Sequence, residues 1–153
     1  MSEYRATVDW KLEGEFKYAT YSRAHAIEFG HGLQLPGNAG QGNVPKTVQW
    51  TPGADPEQQF VASLSTCHML WFLHLAHDAK LVVERYRDEA SGVLAKNAAG
   101  HLAMTRVTLR PVVTFAGAKP TAEQFTRLHH DTHERCFIAN SVKTEIVVEP
   151  RVA

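Results

Sequence analysis

Between Asp55 and Lys80 the apolar positions follow a helical repeat. Phe60, Leu64, Cys67 and Trp71 recur at helical spacing, and Val61, Leu70, Leu73, Leu75 and Ala76 fill most other directions. A surface helix carries one apolar stripe, so four turns that are apolar nearly all round predict a central, buried helix. Its start is marked by Asp55 as N-cap, Pro56 at the first helical position and Gln58 closing an Asp-x-x-Gln box. On both sides of this segment the pattern changes to alternation. Tyr4 to Leu12 predicts a strand, and Phe16 to Phe29 a second one interrupted near Tyr21-Ser22-Arg23. Gly30 to Lys46, with five glycines and two prolines, predicts a long irregular connection, either shaping a site or forming a surface segment. Trp50 ends a short extended piece.

After the helix, Leu81 to Tyr86 and Glu89 to Leu94 read as extended, with a polar kink at Arg87-Asp88 and a turn over Asn97 to Gly100. Gly92 weakens the second of these strands. Leu102 to Phe115 alternates well and predicts one strand, with Pro111 placing it at an edge or bulge. A second helix begins at Thr121, capped through Gln124, and runs to about Glu134 with Phe125 and Leu128 on its apolar face. Val142 to Glu149 predicts the last strand. Strands, helix, strands, helix, strand is an α+β order, and 153 residues suit one domain over residues 1–153. So short a chain has little left to cover an all-round apolar helix, so a homodimer is expected.

Composition narrows the function classes. Sixteen basic and sixteen acidic residues balance without long like-charge runs, which speaks against a nucleic-acid partner or an anionic membrane surface. The start MSEYRATVDW has no apolar signal segment, and no stretch suits a membrane span, so a cytoplasmic location is expected. Two cysteines are too few for a disulfide framework and fit a reducing compartment.

Cys67 lies too far into its helix for the helix terminus to activate it. As a nucleophile it needs a nearby cation, for which Arg23 and His68 are among the candidates; as a structural residue it needs none. Cys136 follows the second helix, and the two cysteines form either a redox couple or two unrelated packing residues. The nine histidines include His68, His74 and His77 on the first helix and His129, His130 and His133 on the second. His129 and His133 share a helical face, but no H-E-x-x-H, C-x-x-C or compact four-ligand set is present, so no metal and no cofactor is expected. A G-x-S-x-G elbow and a GxGxxG or Gly-Lys-Ser/Thr phosphate loop are also missing from the sequence.

The run DPEQQFVASLSTCH, Asp55 to His68, resembles the helix of the family of osmotically inducible protein C and organic hydroperoxide resistance protein. In that family an Asn/Asp-Pro-Glu opening precedes the reactive cysteine by ten residues from the glutamate, matching Glu57 and Cys67. The segment HERCFIANSVKTEIVV is similar to the family's second-cysteine motif and places the partner cysteine at Cys136, ahead of Asn140 and Ser141. Arg23, in YSRAH, matches an early arginine of the family. The better-studied peroxidases carry glycine ahead of that arginine, where this chain has Tyr21 and Ser22, and here His68 directly follows the cysteine.

The resemblance implies an intertwined homodimer, with two central helices flanked by antiparallel sheets from both chains. It also implies a thiol peroxidase without metal or cofactor, acting on organic hydroperoxides and recycled by a dithiol of the lipoyl type. By the same resemblance Cys67 attacks the peroxide, Arg23 stabilises the thiolate and the leaving oxygen, Glu57 holds Arg23 by a bidentate contact, and Cys136 resolves the sulfenic acid. Phe60, Leu64, Trp71 and the glycine-rich loop are candidates to line an alkyl pocket. The alternative is a non-catalytic dimer of the same fold that binds a small hydrophobic ligand or senses oxidation.

Overall fold

Asp55 caps the long helix as its side chain allows: the Gln58 N–H donates to Asp55 Oδ1 at 2.7 Å, and the Asp55 N–H donates to Gln58 Oε1 at 3.4 Å. That helix, α1, spans Pro56–Asp78. The computed structural model describes residues 1–153. It divides into two compact units, Met1–Gln59 and Phe60–Ala153, with the boundary in the first turn of α1.

The first unit holds an antiparallel sheet in the order β1-β2-β3, from β1 (Ala6–Asp9), β2 (His25–Phe29) and β3 (Leu33–Gly37). Two expectations are corrected here. The stretch before His25 is not strand, because residues 18–20 turn and Thr20 Oγ1 donates to the Glu15 carbonyl. The glycine-rich segment is not irregular throughout, because its first part returns along β2 as β3. The turn between them puts His31 and Gly32 at φ +66° and +78°, the left-handed region that glycine enters without steric cost.

The second unit is built on one bent three-stranded ribbon. Strands β4 (Val82–Asp88) and β5 (Ser91–Lys96) run along one side, β6 (Leu102–Leu109) and β7 (Pro111–Ala116) through the middle, and β8 (Glu145–Val148) and β9 (Arg151–Val152) along the other. The bend divides it into two sheets, β4-β7-β9 and β5-β6-β8. It falls at Glu89-Ala90, at Arg110 and at Glu149-Pro150, so the single strand expected over Leu102–Phe115 is two. Pro111 opens β7, where the ladder has already been interrupted. Asp88 holds the corner: Oδ1 accepts from the Arg110 N–H at 2.6 Å, and Oδ2 from Ser65 Oγ of α1 at 2.6 Å. The sheets are mixed rather than antiparallel, since β8 runs parallel to β6 and β9 parallel to β7.

Helix α1 lies on the ribbon through Leu64, His68, Phe72 and Ala76, one position in four, which is a single stripe. Leu64 packs with Val107 and Leu109; Phe72 and Ala76 pack with Val113, Phe115 and Phe125. Gly92 admits the helix closely, because a Cβ there would lie 2.7 Å from Val61 Cγ2. The all-round burial expected of α1 is not reached within one chain: the ribbon and the second helix, α2 (Ala122–Arg135), cover one side only, and Leu70 is 58% exposed. Thr121 and Gln124 close the expected capping box of α2. No helix is long and apolar enough to cross a membrane.

Candidate functional site

Cys67 and Cys136 meet in the second unit. Cys67 sits in the middle of α1 and is half-buried; Cys136 is the C-cap of α2 and is buried, and neither is oxidised to a disulfide. Burial pushes the Cys136 thiol up to about 11, and the hydrogen bond to the Cys67 sulfur adds to that shift. Cys136 therefore keeps its proton at neutral pH. Its own sulfur accepts from the Ala139 N–H at 3.4 Å, which ties it to the 3-10 turn Ala139–Ser141. Phe137, just after it, meets Trp71 edge-on at 5.4 Å, and Arg135 lies 5.9 Å over the Trp71 ring. Of the side chains expected to line an alkyl pocket, Leu64 is in the core and Phe60 packs against it.

His68 does not turn toward the thiols as a cation. Its Nε2 hydrogen-bonds His129 Nδ1 at 3.0 Å, inside the core. Burial, then the charge of nearby His133, lowers the His68 value to about 4; burial, then His68, lowers His129 to about 3. Both rings are neutral at neutral pH. An unfolded chain protonates its histidines near pH ~6.5, so below that pH the unfolded state binds more protons and stability falls until the folded values are reached. From this pair the expected result is a flat contribution above about pH 7 and a progressive loss of stability as the pH falls from about 6.5 toward 3.5. Urea titrations across that range check it, and the variant His68→Leu/His129→Leu should lose most of this slope.

No group of three or more His, Cys, Asp or Glu side chains is arranged to hold a metal ion.

Arg23 and Glu57 belong to the first unit, where both line a cavity of about 550 Å³. Its aromatic wall is Trp10, Phe16 and Tyr21, and Ala39, Gly40 and Asn43 of the glycine-rich segment complete it. Phe60, Leu64 and Trp71 do not contribute. The Arg23–Glu57 bidentate contact is not made here: Arg23 donates through Nη1 to the Tyr21 carbonyl at 2.6 Å and through Nη2 to the Tyr18 carbonyl at 2.8 Å. Its guanidinium lies 3.8 Å over the Tyr21 ring and 4.9 Å from that of Tyr18. Tyr21 supplies both a carbonyl and a ring to this hold.

Sequence reasoning named all four of these residues but missed the His68–His129 pair. A signal was present: His68 falls four residues from both Leu64 and Phe72, and His129 four from Phe125, so each histidine lies on an apolar stripe.

A model of the OsmC-like protein family matches residues 49–151. An OsmC-like protein of unknown function from Vibrio cholerae is 46% identical, with 98% of this chain and 99% of that chain covered and a TM-score of 0.92. An OsmC-like protein from Mycoplasma pneumoniae is 13% identical at a TM-score of 0.74, covering 99% and 98%. An organic hydroperoxide resistance protein from Elizabethkingia anophelis is 17% identical at 0.66, covering 100% and 96%. Those two distant likenesses concern the fold. Among curated proteins none matches the chain.

Proposed function

Because this chain belongs to the OsmC-like protein family, we propose that it is a thiol-dependent peroxidase reducing organic hydroperoxides to alcohols. The observation that carries the reading is the contact between Cys67 and a Cys136 thiol that keeps its proton. Cys67, as thiolate, attacks the distal oxygen of the hydroperoxide. The O–O bond breaks, the alkoxide takes a proton to become alcohol, and Cys67 becomes a sulfenic acid. Cys136 then attacks the Cys67 sulfur, its proton leaves with the hydroxyl as water, and a Cys67–Cys136 disulfide forms. An external dithiol of the lipoyl type reduces that disulfide and is itself oxidised.

Arg23 and Glu57 complete the site in this reading. A guanidinium held by Glu57 stabilises the Cys67 thiolate and the developing charge on the leaving oxygen. Arg23 must then leave the Tyr18 and Tyr21 carbonyls. Arg23→Ala is expected to lower the oxidation rate about 10²-fold, with Arg23→Lys a poor substitute because it lacks the planar fork. Glu57→Gln should cost less and add little once Arg23 is gone. Stopped-flow oxidation of the three variants checks this; an unchanged rate in Arg23→Ala removes Arg23 from the site.

The homodimer is supported by apolar side chains left uncovered in one chain, Leu70, Leu102 and Phe137 among them. Light scattering at micromolar concentration should give twice the 17.0 kDa chain mass. A monomer there contradicts the homodimer.

Arg23 bound to its neighbours' carbonyls, beside an aromatic cavity, favours a second reading: a dimer that binds a small hydrophobic ligand without turnover. A steady-state assay with an alkyl hydroperoxide and dihydrolipoamide, against hydrogen peroxide, separates the two. Sustained turnover preferring the alkyl substrate supports the peroxidase; none with either oxidant leaves the binding protein.

A further inference from the structure

One side-chain hydrogen bond joins α1 to α2, from His68 to His129. The two rings are 1% and 4% exposed and nearly parallel, at 8°. Phe72 stacks on His129 at 4.4 Å between centroids, and Phe125 meets it edge-on at 4.6 Å. A neutral imidazole has one N–H donor and one acceptor nitrogen. The contact with His68 uses His129 Nδ1, and His129 Nε2 has no partner in either tautomer. Two leucines would fill this volume without burying an orphaned polar atom. Packing alone gives no reason for imidazoles here.

What the pair adds is direction. Leucines on a stripe tolerate rotation of a helix about its axis, whereas an N–H···N bond weakens steeply out of line. Consecutive helix residues point about 100° apart, so the bond that fixes the direction of His68 also fixes that of Cys67. On α2, seven residues separate His129 from Cys136, two turns along nearly the same side. A sulfur about 6 Å from the axis moves about 2 Å for a 20° turn of the helix.

We propose that the His68–His129 pair is a positioning device that holds the Cys67 and Cys136 sulfurs in register for disulfide formation. It rests on the redox-pair reading of the two thiols and does not require that the oxidant be a peroxide. The pair touches neither substrate nor the reacting oxygen.

The test is the thiol–disulfide equilibrium of the full chain in mixtures of oxidised and reduced glutathione, followed by intact mass. Oxidation of the two protein thiols forms their S–S bond, breaks that of glutathione disulfide and delivers the two protons to two glutathione thiols. The variant His68→Leu/His129→Leu should fold as stably as wild type or more so, because both polar partners go together. Its disulfide should nevertheless be at least about tenfold less favoured, since a displacement of 1 Å at a reacting centre is costly. His68→Leu alone should shift the equilibrium the same way while losing stability, and His68→Gln, which still reaches His129, should recover part of the difference. A folded Leu/Leu variant, or a folded His68→Leu, that forms the disulfide as readily as wild type overturns the proposal. A wild-type chain that forms no internal disulfide overturns it together with the redox pair. A wild type that forms the disulfide but turns over no hydroperoxide removes the peroxidase alone, and the glutathione comparison still decides the positioning role.

Discussion

Cys67→Ser is expected to abolish hydroperoxide consumption altogether. A peroxide O–O bond yields to a polarizable anionic nucleophile, and a serine hydroxyl is neither ionised at neutral pH nor polarizable enough to take its place. The other cysteine does not substitute: Cys136 is 1% exposed and its thiol is pushed up to about 11, so it holds its proton and sees little solvent. Cys136→Ser should differ in kind. One attack still proceeds at Cys67, but the sulfenic acid has no resolving thiol and persists or advances to sulfinic acid. Turnover then stops after one equivalent, unless the external dithiol attacks the sulfenic acid directly. Peroxide consumption by the three proteins, with and without dithiol, checks both expectations. Full activity in Cys67→Ser would move the chemistry away from this helix.

The largest expected loss of stability is from Phe72→Ala. Phe72 has no exposed surface and packs against three elements: Tyr86 on β4, Phe125 and His129 on α2, and Val113 and Phe115 of β7 through their shared cluster. Removing a buried phenylalanine ring costs about 3–5 kcal/mol, since neighbours held by three elements relax into the cavity only partly. The thermal midpoint should fall by roughly 10 °C or more in a domain of this size. Phe72→Leu should cost clearly less. Scanning calorimetry or a urea midpoint reads both; a loss under about 1 kcal/mol for the alanine variant would mean that α1 packs differently.

Both helices were legible in the chain because their signals are local. Asp55 with Gln58 and Thr121 with Gln124 make the expected reciprocal bonds, each within three residues. The break at Arg110 was legible only as an edge or bulge at Pro111, because the alternation Val107, Leu109, Pro111, Val113, Phe115 carries on across it. What divides it is a distant carboxylate, Asp88, accepting from the Arg110 N–H where the ribbon bends. Strand β3 was hidden for the opposite reason. Leu33-Gln34-Leu35-Pro36 alternates too briefly to stand out among glycines, and only pairing with β2 makes it a strand. β9, two residues long, was likewise set by β7 beside it.

The site divides in the same way. Residue types offered Cys67, Cys136 and Arg23 as candidates and the family resemblance added Glu57 and the roles, but neither gave the hold of Tyr18 and Tyr21 on Arg23, which depends on how residues 18–23 turn. They also could not orient His68. Its place beside Cys67 suggested an effect on the thiol, whereas the stripe through Leu64, Phe72 and Ala76 carries it inward to His129.

Intact mass of wild type after one equivalent of an alkyl hydroperoxide tests the proposed chemistry most directly. The expected product has lost two hydrogens and carries one disulfide between the peptides containing Cys67 and Cys136. A chain that instead gains one oxygen and keeps it, with Cys136 still reducible and unpaired, would contradict the resolving role of Cys136 and the disulfide on which the proposed cycle turns.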